Sequence, residues 1–240
     1  MGQAKTGTGK TAAFLIPIFE RLRPGASNTQ ALILAPTREL ALQIYGEIER
    51  LGASLGFSAC ALYGGVSYDP QIKALSDGVD IIVGTPGRIM DHMRSHRLNL
   101  SSVKIAVLDE ADRMLDLGFR KDIEYIIKHC PVERQTLLLS ATIPDDIQKL
   151  ARHFMQSPLK VWTSPGQLTV DSIEQSFLIC ERANKLPTLL KVLDVEKPQL
   201  AIIFCATKIG VKRLAEKLRR LGLNAQDIHG DLIQQKREKI

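Results

Sequence analysis

Aromatic side chains are scarce in this chain: they make up 5% of its 240 residues, with a single tryptophan, Trp162. That scarcity argues against a nucleic-acid surface built on stacked rings, as in OB or RRM modules. Trp162 is expected to pack near a domain boundary instead. Cysteine is also sparse. Cys60, Cys130, Cys180 and Cys205 are widely spaced and form no CxxC pair, so reduced thiols are expected rather than a zinc site or a disulfide framework. The longest apolar run, which takes in Ala201 to Ala206, falls far short of the roughly 18 residues that a membrane span needs. No basic stretch followed by an apolar one opens the chain, so neither a secretory signal nor a membrane partner is expected, and a cytoplasmic location is. Solenoid-period repeats, low-complexity segments and histidine clusters are missing as well.

What is present is an ordinary globular composition, 45% hydrophobic and 24% charged, long enough for one large domain or two smaller ones. The net charge of +6 is uneven, since residues 164–240 hold 13 basic side chains against 9 acidic ones. A mild basic surplus permits a nucleic-acid partner without establishing one. Short apolar runs at Ala31–Ala35, Asp80–Val83, Ile105–Leu108 and Thr136–Leu139 suit strands covered on both faces, as do Glu174–Ile179, Leu200–Phe204 and Ala225–Ile228. Helical spacing joins Leu40, Ile44, Ile48 and Leu51; Phe119, Ile123, Ile126 and Ile127; and Val211, Leu214, Leu218 and Leu221. Strands alternating with helices predict an α/β fold, a parallel sheet with helices on both faces. The turn-rich segment Thr163-Ser164-Pro165-Gly166-Gln167 marks a boundary. The expected organisation is a first α/β domain over 1–162, a linker over 163–172, and the start of a second domain over 173–240. A phosphate loop preceded only by Met1-Gly2-Gln3, and a second domain with about three strand runs, read as a fragment of a longer protein.

That loop is Ala4-Lys5-Thr6-Gly7-Thr8-Gly9-Lys10-Thr11, which matches the Walker A pattern except that Ala4 replaces the first glycine. Gly7 and Gly9 let the backbone curl with its N–H groups turned toward anionic oxygens. The positive end of the helix beginning near Lys10 adds to the attraction. Lys10 supplies a charge beside β- and γ-phosphates, and the Thr11 hydroxyl can ligate Mg2+. About a hundred residues later, Val107-Leu108-Asp109-Glu110-Ala111-Asp112 is an apolar strand that ends in carboxylates. In open parallel sheets ligands sit at the carboxyl ends of strands. Asp109 is therefore expected near Lys10, where one carboxylate holds magnesium, directly or through water, and the next orients an attacking water. Arg38 and Arg88 each open a helical pattern just after a proline-containing turn, which suits phosphate.

Asp109-Glu110-Ala111-Asp112 spells the signature of the DEAD-box ATP-dependent RNA helicases, and the chain resembles that family along its whole length. Ala4 to Thr11 resembles motif I, alanine included; Ala35-Pro36-Thr37-Arg38-Glu39-Leu40 resembles motif Ia; Gly64-Gly65 resembles the paired glycines; and Thr85-Pro86-Gly87-Arg88 resembles motif Ib. Ser140-Ala141-Thr142 resembles motif III, Ile203-Phe204-Cys205-Ala206-Thr207 motif IV, and Gln234-Gln235-Lys236-Arg237 the QxxR element. The resemblance implies two RecA-like domains that close on ATP and single-stranded RNA. Ala4 through Thr11 would bind ATP, with Thr11 and, through water, Asp109 holding Mg2+. Glu110 would activate the hydrolytic water, and Asp112, Ser140 and Thr142 would couple the site to the second domain. Pro36, Thr37, Arg38, Gly65, Thr85 and Arg88 would line the RNA backbone path, which Thr207, Gln234 and Arg237 would extend. Ribonucleoprotein components are the further partners it suggests. The family's glutamine motif would precede Met1, and motifs V and VI would follow Ile240, so weak or absent unwinding is expected of the chain by itself. A DNA helicase or translocase on the same scaffold, and a truncated RNA-binding module without turnover, remain the alternatives.

Overall fold

The computed structural model describes residues 1–4, 9–26, 28–162, 174–232, 236–237 and 239–240. The chain divides into two compact units, Met1–Gly166 and Gln167–Ile240. The expected linker, 163–172, lies outside the described residues.

The first unit is an α/β structure. Its strands are β1 (Gly2–Gln3), β2 (Ala31–Leu34), β3 (Ala59–Leu62), β4 (Ile81–Gly84), β5 (Ile105–Leu108), β6 (Gln135–Ser140) and β7 (Val161–Trp162). They form one sheet in the order β3-β4-β2-β5-β6-β1-β7, and every pairing is parallel. The helices are α1 (Lys10–Arg21), α2 (Arg38–Gly52), α3 (Asp69–Asp77), α4 (Pro86–Arg94), α5 (Ala111–Asp116), α6 (Arg120–Lys128) and α7 (Asp145–Phe154).

Alternation along the strands explains why nearly every strand position is apolar. Ile33, Ile81, Val83, Ile105 and Val107 join a core with Phe14, Leu15 and Ile18 of α1 and Ala41, Ile44 and Ile48 of α2. Their neighbours Leu32, Leu34, Ile82, Ala106 and Leu108 join a second core with residues of α4, α6 and α7. Successive side chains point to opposite faces, and helices cover both. The runs expected at 31–35, 80–83, 105–108 and 136–139 therefore fall on β2, β4, β5 and β6.

The second unit contains α8 (Lys185–Glu196) and α9 (Lys208–Arg220). Its three expected strand runs do not form strands among the described residues. Ile179 and Phe204 are each 93% exposed, and among the described residues of this unit only Ala215, Leu218 and His229 are buried. A parallel strand is stabilised by neighbours at its edges, and these runs find no neighbouring strand among the described residues.

One buried carboxylate ties three segments of the first unit together. Asp80 is 0% exposed. Its Oδ1 accepts from Ala26 N at 2.9 Å and Gln30 Nε2 at 3.3 Å, and its Oδ2 accepts from Gly25 N at 3.2 Å, Ser58 N at 3.0 Å and Ser58 Oγ at 2.9 Å. The loop after α1 and the approaches to β2 and β3 are thus pinned to the start of β4. Removing the carboxylate strands several buried donors, each at a cost of about 1–3 kcal/mol. Asp80→Ala should lower unfolding stability by about 3 kcal/mol, read from urea titration; a midpoint equal to that of the wild type would contradict the assignment.

Candidate functional site

Parallel pairing places every strand's carboxyl end on one rim of the sheet. The register brings these ends level: Leu108 lies opposite Leu34 and Leu138, Gly84 opposite Leu34 and Leu62, and Gln3 opposite Ser140. One half of the rim is formed by β5, β6 and β1. These adjacent strands carry the expected carboxylates, the Ser140-Ala141-Thr142 segment and the phosphate loop.

Of that loop, Lys5, Thr6, Gly7 and Thr8 lie outside the described residues. Its two ends are held. Ala4 N donates to Ser140 O at 3.2 Å, and Gln3 Nε2 donates to Ala141 O at 3.0 Å. Gly9 has φ +82 and leads into α1 from the left-handed region, which only glycine enters freely. Among the described residues the helix start has no side-chain cap, and its first turn holds no acidic residue, which suits an anion at its positive dipole end. The Lys10 ammonium donates to Ala4 O at 3.0 Å, across the loop.

Asp109, just past β5, is 3% exposed. Burial pushes its carboxyl pKa up, and the positive charge of Lys10 pulls the other way. Its Oδ1 accepts from Glu110 N at 3.0 Å. Glu110 has φ 49 and ψ 52, a left-handed conformation that strains a non-glycine residue and is typical of functional sites. Its half-buried carboxylate meets Arg113 Nη1 at 3.2 Å. Asp112 Oδ2 accepts from Thr142 N at 2.9 Å and from Thr142 Oγ1 at 2.8 Å, while Asp112 N donates to Ser140 Oγ at 3.3 Å. The start of α5 is thereby fastened to the end of β6. Partial burial works to raise the Asp112 pKa, but the hydrogen bonds from Thr142 and Ser140 outweigh it, and the net displacement is downward.

The oxygens present suit magnesium. Among the described residues no three His, Cys, Asp or Glu side chains cluster to cage a metal. A threonine hydroxyl at a helix start and one buried carboxylate form the sparse, hard-oxygen set that leaves room for water and phosphate.

The other half of the rim is formed by β2, β4 and β3, and it gathers the candidates for a nucleic-acid backbone in the first unit. Pro36 is buried, and Thr37 Oγ1 accepts from Leu40 N at 3.3 Å, which caps α2, where Arg38 is the first residue. Gly65 has φ +78, and a Cβ there would collide with the Arg38 guanidinium. Thr85 is buried at the start of α4, and its N–H donates to Leu62 O at 2.9 Å. Arg88 differs from the expectation of an open guanidinium. It is only 7% exposed, with Nη2 on Val66 O at 3.2 Å. In the second unit Thr207 caps α9 by accepting from Gly210 N at 3.0 Å, and Arg237 is half-buried; Gln234 lies outside the described residues. His229 is buried and its Nδ1 accepts from Asp231 N at 3.2 Å, a structural role. Sequence reasoning passed over Arg113, Tyr68, Gln71 and His92. His92 did leave a signal: it is a polar residue on the same helical face as the apolar Ile89 and Met93.

The DEAD/DEAH box helicase family matches residues 1–150 of the chain. The DEAD-box ATP-dependent RNA helicase CshA of Geobacillus kaustophilus is 48% identical over 240 residues, covering 100% of this chain and 51% of that protein. The protein of the same name from Bacillus subtilis is 46% identical over 237 residues, covering 99% and 48%. A crystal structure of a DEAD box protein from the hyperthermophile Methanococcus jannaschii matches with a TM-score of 0.66 and 42% identity, covering 99% of this chain and 64% of that one. The expected α/β, RecA-like fold is borne out by this match. The chain spans about half the length of the curated relatives it matches.

The lowered Asp112 pKa makes part of the stability depend on pH. A group whose folded pKa is depressed contributes fully above its unfolded value, near 4 for aspartate, and the contribution is lost as pH falls through the folded value. Asp112→Asn should be less stable than the wild type at about pH 7, and the two should converge toward about pH 2 in urea titrations. A gap that stays constant over that range would contradict the Thr142 bond as its source.

Proposed function

The chain belongs to the DEAD/DEAH box helicase family, and from that premise we propose that it is the ATP-binding, RNA-gripping part of an ATP-dependent RNA helicase. The observation that carries the reading is the meeting of three adjacent strand ends, which sets Lys10, Asp109 and the Asp112–Thr142 pair on one rim.

Lys10, Thr11 and the uncapped start of α1 would hold the phosphates of ATP and, at Thr11, magnesium. Asp109 would orient the ion through water. Magnesium, when bound, supplies positive charge that offsets what builds up on the phosphate oxygens. Glu110 would accept the proton of the attacking water, and its backbone strain fixes where that carboxylate leaves the chain. The hydrogen bonds that join Asp112 to Thr142 and Ser140 would carry the state of the nucleotide side toward α7 and, in the whole protein, to the second RecA-like unit. Arg38, Gly65, Thr85 and the segment around Pro36 and Thr37 would follow an RNA backbone, continued by Thr207, Gln234 and Arg237. Contacts to phosphate and sugar are blind to base identity, so binding would be largely independent of sequence and sensitive to salt. In the whole protein, joint binding of ATP and RNA would favour a closed arrangement that separates a short duplex locally, and hydrolysis would release it. A cytoplasmic location and ribonucleoprotein partners accompany this reading. The 240 residues alone would unwind RNA weakly or not at all.

Two substitutions separate binding from chemistry. Lys10→Ala should abolish retention of labelled Mg-ATP. Glu110→Gln should keep retention and lower turnover in the whole protein by about 10²–10⁴. Equal loss of ATP affinity in both would contradict the assigned roles. Stimulation of the ATPase by DNA as strong as by RNA would favour a DNA translocase, and RNA binding without turnover a non-catalytic module.

A further inference from the structure

A buried polar cluster lies beneath the Gly64–Gly65 turn, and the roles assigned above leave it unexplained. The carbonyls on both sides of the turn are held by side chains. Gln71 Nε2 donates to Tyr63 O at 3.1 Å, and Arg88 Nη2 donates to Val66 O at 3.2 Å. Each of these side chains is braced in turn. Gln71 Oε1 lies 3.1 Å from Nε2 of His92, which is 0% exposed. Burial, followed by the charge of Arg88, lowers the His92 pKa, and because an amide oxygen can only accept, Nε2 of His92 is the donor to Gln71 Oε1. The Tyr68 ring covers the Arg88 guanidinium, with 3.8 Å from its carbon to the ring centroid, and Tyr68 Oη donates to Asp91 Oδ2 at 3.0 Å. Tyr68 and His92 also meet edge to face at 5.5 Å. Arg88, Asp91 and His92 all come from α4.

Two consecutive glycines form the most adaptable kind of turn, and fixing them when a ligand arrives costs conformational entropy. A turn already pinned at both flanking carbonyls avoids much of that cost. We propose that Tyr68, Gln71, Arg88 and His92 form a cradle that presets the Gly64–Gly65 turn for a ribose–phosphate backbone. Arg88 acts there as a positioning residue through Val66, not as a phosphate ligand. The inference rests on the RNA reading above and adds residues to it. Arg88 Nη1 and His92 Nδ1 are buried without hydrogen-bond partners among the described residues, so the test has to separate support of the turn from direct contact with phosphate.

Fluorescent single-stranded oligouridine is titrated into the 240-residue chain and its variants across a KCl series, and amide hydrogen exchange at residues 63–66 is followed without RNA. Tyr68→Leu should weaken binding roughly two- to thirtyfold, the range a cation–π contact spans, and should speed exchange at the turn. Tyr68→Phe, which keeps the ring, should restore both. Arg88→Gln should weaken binding and speed exchange with the log–log salt slope unchanged, whereas loss of a phosphate contact would reduce that slope by about 0.7. A reduced slope makes Arg88 a phosphate ligand and overturns its positioning role. Unchanged affinity and exchange in Tyr68→Leu overturn the cradle even when the wild type binds RNA. A wild type that ignores RNA while exchange responds as expected overturns the ligand and the RNA reading together. Urea unfolding reports folding separately, and Arg88→Lys, which keeps the charge and loses the fork, carries the exchange comparison should Arg88→Gln not fold.

Discussion

All strands of the first unit point the same way, so each of them leaves the sheet along one rim. Parallel pairing forbids short hairpins and forces every connection back through a helix, which sends functional loops to one side and return helices to the two faces. The phosphate loop, the carboxylates and the Ser140–Thr142 segment are far apart in sequence. They meet because β1, β6 and β5 are neighbours in register. The sheet in turn depends on both faces being covered, which is why its strands carry apolar side chains at successive positions rather than alternate ones.

Within the rim, the proposed nucleotide half is held together by backbone and carboxylate hydrogen bonds that cross from strand end to strand end. Ala4 is tied to Ser140, and Asp112 to Thr142 and Ser140. These bonds join the phosphate loop to the carboxylates through the last residues of β6. A shift at the end of that strand would therefore move both partners of the proposed chemistry together. Among the described residues of this half, Glu110 forms a strained joint, its left-handed backbone stabilised by the bond from its N–H to Asp109.

Much of this could be read from the sequence, because its signals are local. An apolar run of four or five residues ending in Asp109-Glu110, or glycines ahead of Lys10-Thr11, states a strand end or a loop without reference to anything distant. The α/β class, four of the strands and the candidates for the proposed nucleotide half came from such signals. The strand β3 did not, since Ala59-Cys60-Ala61-Leu62 has little intrinsic preference for extended structure and depends on β4 beside it. The three runs in the second unit failed in the opposite sense. Phe177, Ile202 and Phe204 carry strand preference, but preference does not make a sheet where the described residues offer no neighbouring strand. Arg88 was legible as a helix-start arginine and not as a buried one. What buries it is Tyr68, twenty residues away and brought over it by the turn after β3.

The two halves of the rim use different means because their proposed ligands make different demands. A triphosphate is compact and highly charged, so a few cations, a helix dipole and unstrapped N–H groups provide most of the attraction, and a loop with glycines can wrap it. A polynucleotide backbone is long and repeats its charge at fixed spacing, so recognition needs several moderate contacts held at the right separation. Separation is a matter of rigidity. That is consistent with the backbone half placing its candidates at helix starts, on Arg38 and Thr85, and bracing its glycine turn from beneath with the largely buried side chains of Gln71 and Arg88. A buried arginine and a fully buried histidine are costly to place in an apolar core. Stability alone would be better served by apolar residues of similar volume, so their presence under an exposed turn points to the turn's geometry as what they maintain.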